Sequence, residues 1–173
     1  FKSNQKLSKK QFSKILNFNL KNKKILIEEK LLPKKNTLSE MSAETIWQDG
    51  KIIYFNCVDR IFPRDTMAYK NLPKSLYNNY KAGFEIGHIN PSLKSKNEIL
   101  KIKRIILKLG NLLGYNKMKK CHVLKADIFF SEKGPIILEM TPRLSGGYDS
   151  TGSAIIRGIK LSEAIIKISQ GER

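Results

Sequence analysis

The sequence predicts an α+β fold, a twisted and mainly antiparallel sheet with helices covering its outer face. Three observations carry that expectation. Asp49-Gly50 sits between the apolar runs Thr45-Ile-Trp47 and Lys51-Ile-Ile-Tyr-Phe55, which is a strong two-residue hairpin signal. A second pair of apolar runs, Ile128-Phe-Phe130 and Ile136-Ile-Leu138, is joined by a polar stretch from Ser131 to Gly134. Between the two hairpins, Ile99, Ile102, Ile105, Ile106, Leu109 and Leu113 recur at helical spacing. Strands joined by short turns run antiparallel, and an amphipathic helix beside them buries its apolar stripe on the sheet.

Each element has its own signal. Ser8-x-x-Gln11 forms a capping box opening an amphipathic helix with Leu7, Phe12, Ile15 and Leu16 on its apolar side. The Asp49-Gly50 turn makes Glu40–Glu44 part of the sheet. Ser95-x-x-Glu98 caps the long helix and Gly114 ends it. Ser162 is expected to cap a last helix with Ala164, Ile165 and Ile168 on its buried side.

Composition narrows the function classes. A chain of 173 residues with 40% hydrophobic residues is one globular domain by size, with enough apolar material for a core. No apolar run approaches a membrane span. Cys57 and Cys121 are too few for a disulfide framework and too far apart for a zinc pattern, which points to a reducing cytoplasm. The net charge of +18 raises a rival reading, a nucleic-acid-binding module. The 27 Lys and 6 Arg are spread from Lys2 to Arg173 and are not gathered beside aromatics, whereas bidentate phosphate and base readers favour Arg. This distribution suits a solvated surface better, and nucleic acid is the weaker reading.

The second hairpin carries the chemistry. If it is symmetric about Lys133, Asp127 lies opposite Glu139, and period-2 alternation places Glu139 and Thr141 on one face. Carboxylates on a hairpin are ordinarily solvated and uncoupled. Here the apolar flanks imply partial burial, so the pair needs something positive between its members. A hard divalent cation held by oxygen ligands answers that need, with Arg143 adding a fixed charge for phosphate. Pro142-Arg143 and Ser145-Gly-Gly147 then break the strand into a loop open to close ligand approach.

The run from Lys125 to Gly147, Glu139-Met-Thr-Pro-Arg-Leu-Ser-Gly-Gly147 above all, resembles the carboxyl-terminal lobe of the ATP-grasp superfamily, in its carbamoyl-phosphate-synthetase-like, carboxylate–amine ligase branch. The resemblance implies that Asp127 and Glu139 are metal ligands, that Arg143 is the catalytic phosphate-binding arginine, and that Thr141 replaces the usual Asn ligand. Lys24–Leu32 resembles the family's strand and adenine hinge, which assigns Glu28, Glu29, Lys30 and Leu31 to ATP, with either glutamate on the adenine side. Glu40-Met-Ser-Ala-Glu44 resembles the strand whose first Glu holds the ribose, here Glu40. Ala82–Ser92 is similar to a family run ending in Pro-Ser, which makes His88 a candidate for substrate or phosphate; Arg60 has similar standing. A lone His beside glycines and a surface Arg are otherwise ordinary structural residues.

The implied activity is an ATP- and magnesium-dependent ligation, with manganese as a substitute ion. A substrate carboxylate attacks the γ-phosphate, and an amine or similar nucleophile displaces phosphate from the resulting acyl phosphate. Carbamoyl phosphate synthesis or bicarbonate-dependent carboxylation is the alternative within the family. The Gly-rich loop and phosphate-binding Lys of the family are not found before Lys24. The expectation is therefore a partial domain, with residues 1–23 a remnant of the preceding lobe and 24–173 the hinge, metal-binding sheet and helices. Such a chain is expected to bind nucleotide weakly, to be inactive alone, and to self-associate through an open sheet edge.

Overall fold

The computed structural model describes residues 9, 10, 13, 28–62, 85–146, 154, 155 and 158–172. The chain divides into two compact units, 1–30 and 31–173. In the first, Lys9, Lys10 and Ser13 are helical, where the Ser8 capping box predicts a helix, and Glu28, Glu29 and Lys30 are irregular and exposed. The strand expected over 24–32 is therefore not present at 28–32, and residues 24–27 lie outside the described residues. A run of three charged side chains has no apolar alternation to bury, and among the described residues the first ladder contact is a bridge from Pro33 to Ser131.

The second unit is α+β. Its strands are β1 (Glu40–Gln48), β2 (Lys51–Ile61), β3 (Gly87–Ile89), β4 (Cys121–Ser131) and β5 (Gly134–Thr141). They form one sheet in the order β3-β2-β1-β4-β5, antiparallel throughout. Asp49 and Gly50 both take positive φ, 48° and 79°, as a two-residue primed turn requires, and so join β1 to β2.

Helix α1 (Lys96–Leu112) starts at a complete capping box between Ser95 and Glu98 and ends before Gly114, whose φ of 88° is left-handed. Its buried Ile102 and Ile106 meet Met41, Ala43, Trp47, Cys57, Leu124, Ala126 and Ile128 on one sheet face. Full burial of each Ile, Leu or Met side chain among them stabilises the fold by roughly 1.5–3 kcal/mol. Gly110 is required where α1 crosses Trp47, because a Cβ there would come within 2.5 Å of the indole.

Helix α2 (Leu161–Ser169) packs Leu161, Ile165 and Ile168 near Ile46, Tyr54 and Val123. Ile46 alternates with the Met41, Ala43 and Trp47 series, so α2 covers the opposite face, at one end. Helices therefore lie on both faces, where the sequence suggested one. Ser162 does not cap α2: the N-cap is Lys160, without a side-chain bond, and Ser162 is inside the first turn. No helix among the described residues is long and apolar enough to cross a membrane.

Candidate functional site on the polar sheet face

The face that α2 leaves uncovered is mainly polar, with its residues in register. Reading across the strands, His88, Arg60, Glu40 and Phe129 form one row, Val58, Ser42, Asp127 and Glu139 the next, and Asn56, Glu44, Lys125 and Thr141 a third. Directly paired residues project to the same side, so these side chains share a surface.

Asp127 does lie opposite Glu139, by a route different from a symmetric turn. The connection is a two-residue turn, Glu132-Lys133, which pairs Ser131 with Gly134 and Ile128 with Ile137. The register then shifts, and Asp127 pairs with Glu139. Leu138 is the extra residue, a β-bulge. Without it Leu138 would face Asp127 and Glu139 would turn to the core side, because a one-residue slip exchanges the faces of a strand. Expelled from the ladder, Leu138 is 46% exposed, against the burial its apolar run suggested.

The two carboxylates have unlike surroundings. Asp127 is buried and accepts a hydrogen bond from Ser42 Oγ at 2.9 Å. Lys125 Nζ lies 2.7 Å from the same carboxylate, and Arg60 Nη1 lies 3.4 Å from Oδ2. Burial pushes the Asp127 carboxyl up; Lys125, Ser42 and Arg60 outweigh it and hold the group below the usual carboxylate value. Glu139 is exposed, with no ion pair or hydrogen bond to its carboxylate among the described residues. The positive charge the pair was expected to need is thus supplied to Asp127 by the protein.

Arg60 is a hub. Its Nε donates to Glu85 Oε2 at 2.8 Å, and Nη1 lies 3.5 Å from Glu40 Oε2. Burial works against its charge, but Glu85, Asp127 and Glu40 raise its pKa above the ordinary arginine value. The candidate ribose and metal carboxylates are therefore bridged by one guanidinium. His88 lies opposite Arg60 on the edge strand β3 and is half-buried. The Pro-Ser end of its segment is anchored on the other face, where Ser92 Oγ and Leu93 N donate to the fully buried Asp59 at 2.9 and 2.7 Å.

Past β5 the chain turns into the loop carrying Arg143, whose exposed guanidinium donates Nη1 to Leu144 O at 3.0 Å. Ser145 N donates to Oε1 of the fully buried Glu44 at 2.6 Å. Gly147 lies outside the described residues.

A hard divalent cation takes oxygen donors. Asp127, Glu139 and Thr141 offer two carboxylates and a hydroxyl on one face, and Thr141 Oγ1 is buried without a hydrogen-bond partner among the described residues. That unmet group and the uncompensated Glu139 fit a cation. Among the described residues no three His, Cys, Asp or Glu side chains are grouped to hold a metal ion, so the set is limited to these donors. Leu31 is half-buried and belongs to the second unit, whereas Glu28, Glu29 and Lys30 belong to the first.

Sequence reasoning left out Ser42, Glu44, Glu85 and Lys125. Three of them lie in an alternation legible in the sequence: Ser42 and Glu44, at every second position after Glu40 along β1, and Lys125 beside Asp127 along β4. Polar residues at every second position of otherwise apolar strands mark a polar face.

No protein-family model matches the chain, and no curated protein matches it.

Proposed function

We propose that the polar sheet face binds ATP with a divalent cation, in an ATP-grasp-type ligase that joins a carboxylate to an amine or similar nucleophile through an acyl phosphate. The observation that supports it most is the bulge at Leu138, which brings Glu139 opposite a buried Asp127 and leaves Thr141 Oγ1 on the same face. A local irregularity that re-aims a side chain toward a charged partner is a feature with a use.

Magnesium held there would neutralise charge on the transferring phosphate. The chain's own residues bind and orient. Asp127, Glu139 and Thr141 present oxygen donors, Arg143 supplies a guanidinium for phosphate, and Arg60 holds Glu40 and Asp127 at a fixed spacing. Glu44 restrains the Arg143 loop through Ser145. The apolar cluster around Ile46 and α2 closes one end of the face against water.

The test is calorimetric titration of ATP into the chain with and without magnesium, for wild type and Glu139→Gln. Binding should depend on magnesium in wild type and fall at least about tenfold in the variant, roughly 1.4 kcal/mol. Equal affinity in both chains, or binding indifferent to magnesium, overturns the reading.

A further inference from the structure

Lys125 has no role in the function proposed above. Its side chain is 7% exposed, and it projects from β4 beside Asp127, between Glu44 on β1 and Thr141 on β5. A lysine so placed gives up hydration and needs a strong partner, which the Asp127 carboxylate supplies at 2.7 Å.

The carboxylate it holds is otherwise well occupied. Ser42 Oγ accounts for one lone pair, Lys125 Nζ approaches both oxygens, and Arg60 Nη1 stands at 3.4 Å. Glu139, directly opposite, has no such compensation among the described residues. A cation shared by the two carboxylates has to take a position on Asp127 that the ammonium fills.

We infer that Lys125 is an internal counter-ion, a positioning residue that holds the Asp127 carboxylate in place until a divalent cation displaces its ammonium. This rests on the reading of Asp127 and Glu139 as cation ligands. Two physical reasons favour a displaceable lysine. Without Lys125, buried Asp127 would keep only the Ser42 hydroxyl and an Arg60 guanidinium at 3.4 Å that it shares with Glu40 and Glu85, so the empty site needs a closer counter-charge. An ammonium on a flexible four-carbon stem makes point contacts and swings away, which the geometry of Arg60, tied also to Glu85 and Glu40, opposes. The consequence is competition: cation binding includes the work of moving Lys125, and the affinity is set below what the oxygen donors alone would give.

The experiment uses Mn²⁺ as probe, with free ion measured by electron paramagnetic resonance and stability by thermal unfolding. Lys125→Met should bind Mn²⁺ about tenfold more tightly than wild type. It should unfold at lower temperature without the ion and recover most of that loss at saturating Mn²⁺, since a ligand of the native state stabilises it. Equal affinity in both chains, or weaker binding by the variant, overturns the inference while leaving the metal site standing. A variant that stays unfolded at saturating Mn²⁺ while Lys125→Met/Asp127→Asn folds also overturns it, because the ion then fails to replace the ammonium. If neither chain binds Mn²⁺, the cation reading of Asp127 and Glu139 falls with it.

Discussion

Ser145 donates its backbone N–H to the Glu44 carboxylate at 2.6 Å, 101 residues away in sequence. Glu44 is fully buried in the central strand, and Ser145 is two residues past Arg143, so the sheet interior holds the loop that carries the exposed arginine. Removing the acceptor leaves a part-buried donor unmet. Glu44→Leu should therefore lower stability by about 1–3 kcal/mol in urea denaturation. Amide exchange at Ser145 should accelerate in the same variant. Unchanged exchange there would mean that the loop is held by something else.

Asp127 and Glu139 should separate stability from binding. Asp127→Asn leaves Lys125 and Arg60 facing a neutral amide in a buried place, and a loss of about 2–4 kcal/mol is expected, below the full cost of breaking a buried pair because Arg60 keeps Glu85 and Glu40. Glu139→Gln touches an exposed group without such partners, and its effect on stability should stay within about 0.5 kcal/mol. Thermal unfolding of the two variants beside wild type decides this. Similar losses in both would place Glu139 in the structural network.

Glu98 gives the first turn of α1 a pH dependence. The Lys34 ammonium at 3.0 Å and the Ser95 hydroxyl at 2.8 Å hold its carboxyl down at about 2, from an ordinary value of 4.5. A depressed carboxylate stabilises the fold fully above the ordinary value, and that contribution is lost as pH falls through the native one. The window runs from 4.5 down to about 2. Because the pair is at the surface, the effect should be about 1 kcal/mol or less. Urea midpoints across that window should fall less steeply for Glu98→Gln than for wild type; parallel curves would remove Glu98 from the acid response.

The cysteines should differ in reactivity. Burial, with Asp59 and Glu44 adding to it, pushes the Cys57 thiol up to about 12, so its thiolate fraction at pH 8 is negligible. Cys121, at the start of β4, is half-buried. Iodoacetamide at pH 8 should label Cys121 alone in the native chain and both residues in urea, as read by mass spectrometry. Native labelling of Cys57 would show that β2 opens readily.

The sequence carried local signals well and long-range pairing poorly. Asp49-Gly50, the Ser95–Glu98 box and Gly114 specify backbone geometry by themselves, and each stands where the sequence placed it. The pairing of Asp127 with Glu139 was legible from spacing, while the Leu138 bulge behind it was not. A bulge depends on which face the whole strand must bury, and no short motif encodes that. The Arg60–Glu85 bond joins β2 to a residue two positions before β3, 25 residues further along the chain, so nothing local announces it. Ser162 was misleading because Ser is a frequent cap, yet the helix begins one residue earlier at Leu161, whose burial against Ile46 sets the start. The burial of Lys125 is not legible in the sequence because lysines are usually solvated and nothing local distinguishes it among 27 of them.

Thr141 offers the cleanest separation of fold from function. Its Oγ1 is buried with no hydrogen-bond partner among the described residues, and such a group costs desolvation without return. Replacing it by the nearly isosteric Val removes that cost, so Thr141→Val should leave stability unchanged or raise it by up to about 1 kcal/mol. If the hydroxyl is instead a cation ligand, the same change should weaken Mn²⁺ or magnesium-dependent ATP binding several-fold. Thr141→Asn, which puts an amide oxygen in that position, should keep or tighten it. Urea denaturation and ion titration on the two variants read the outcomes independently. Undiminished cation binding by Thr141→Val would exclude the hydroxyl from the ligand set and reduce it to Asp127 and Glu139.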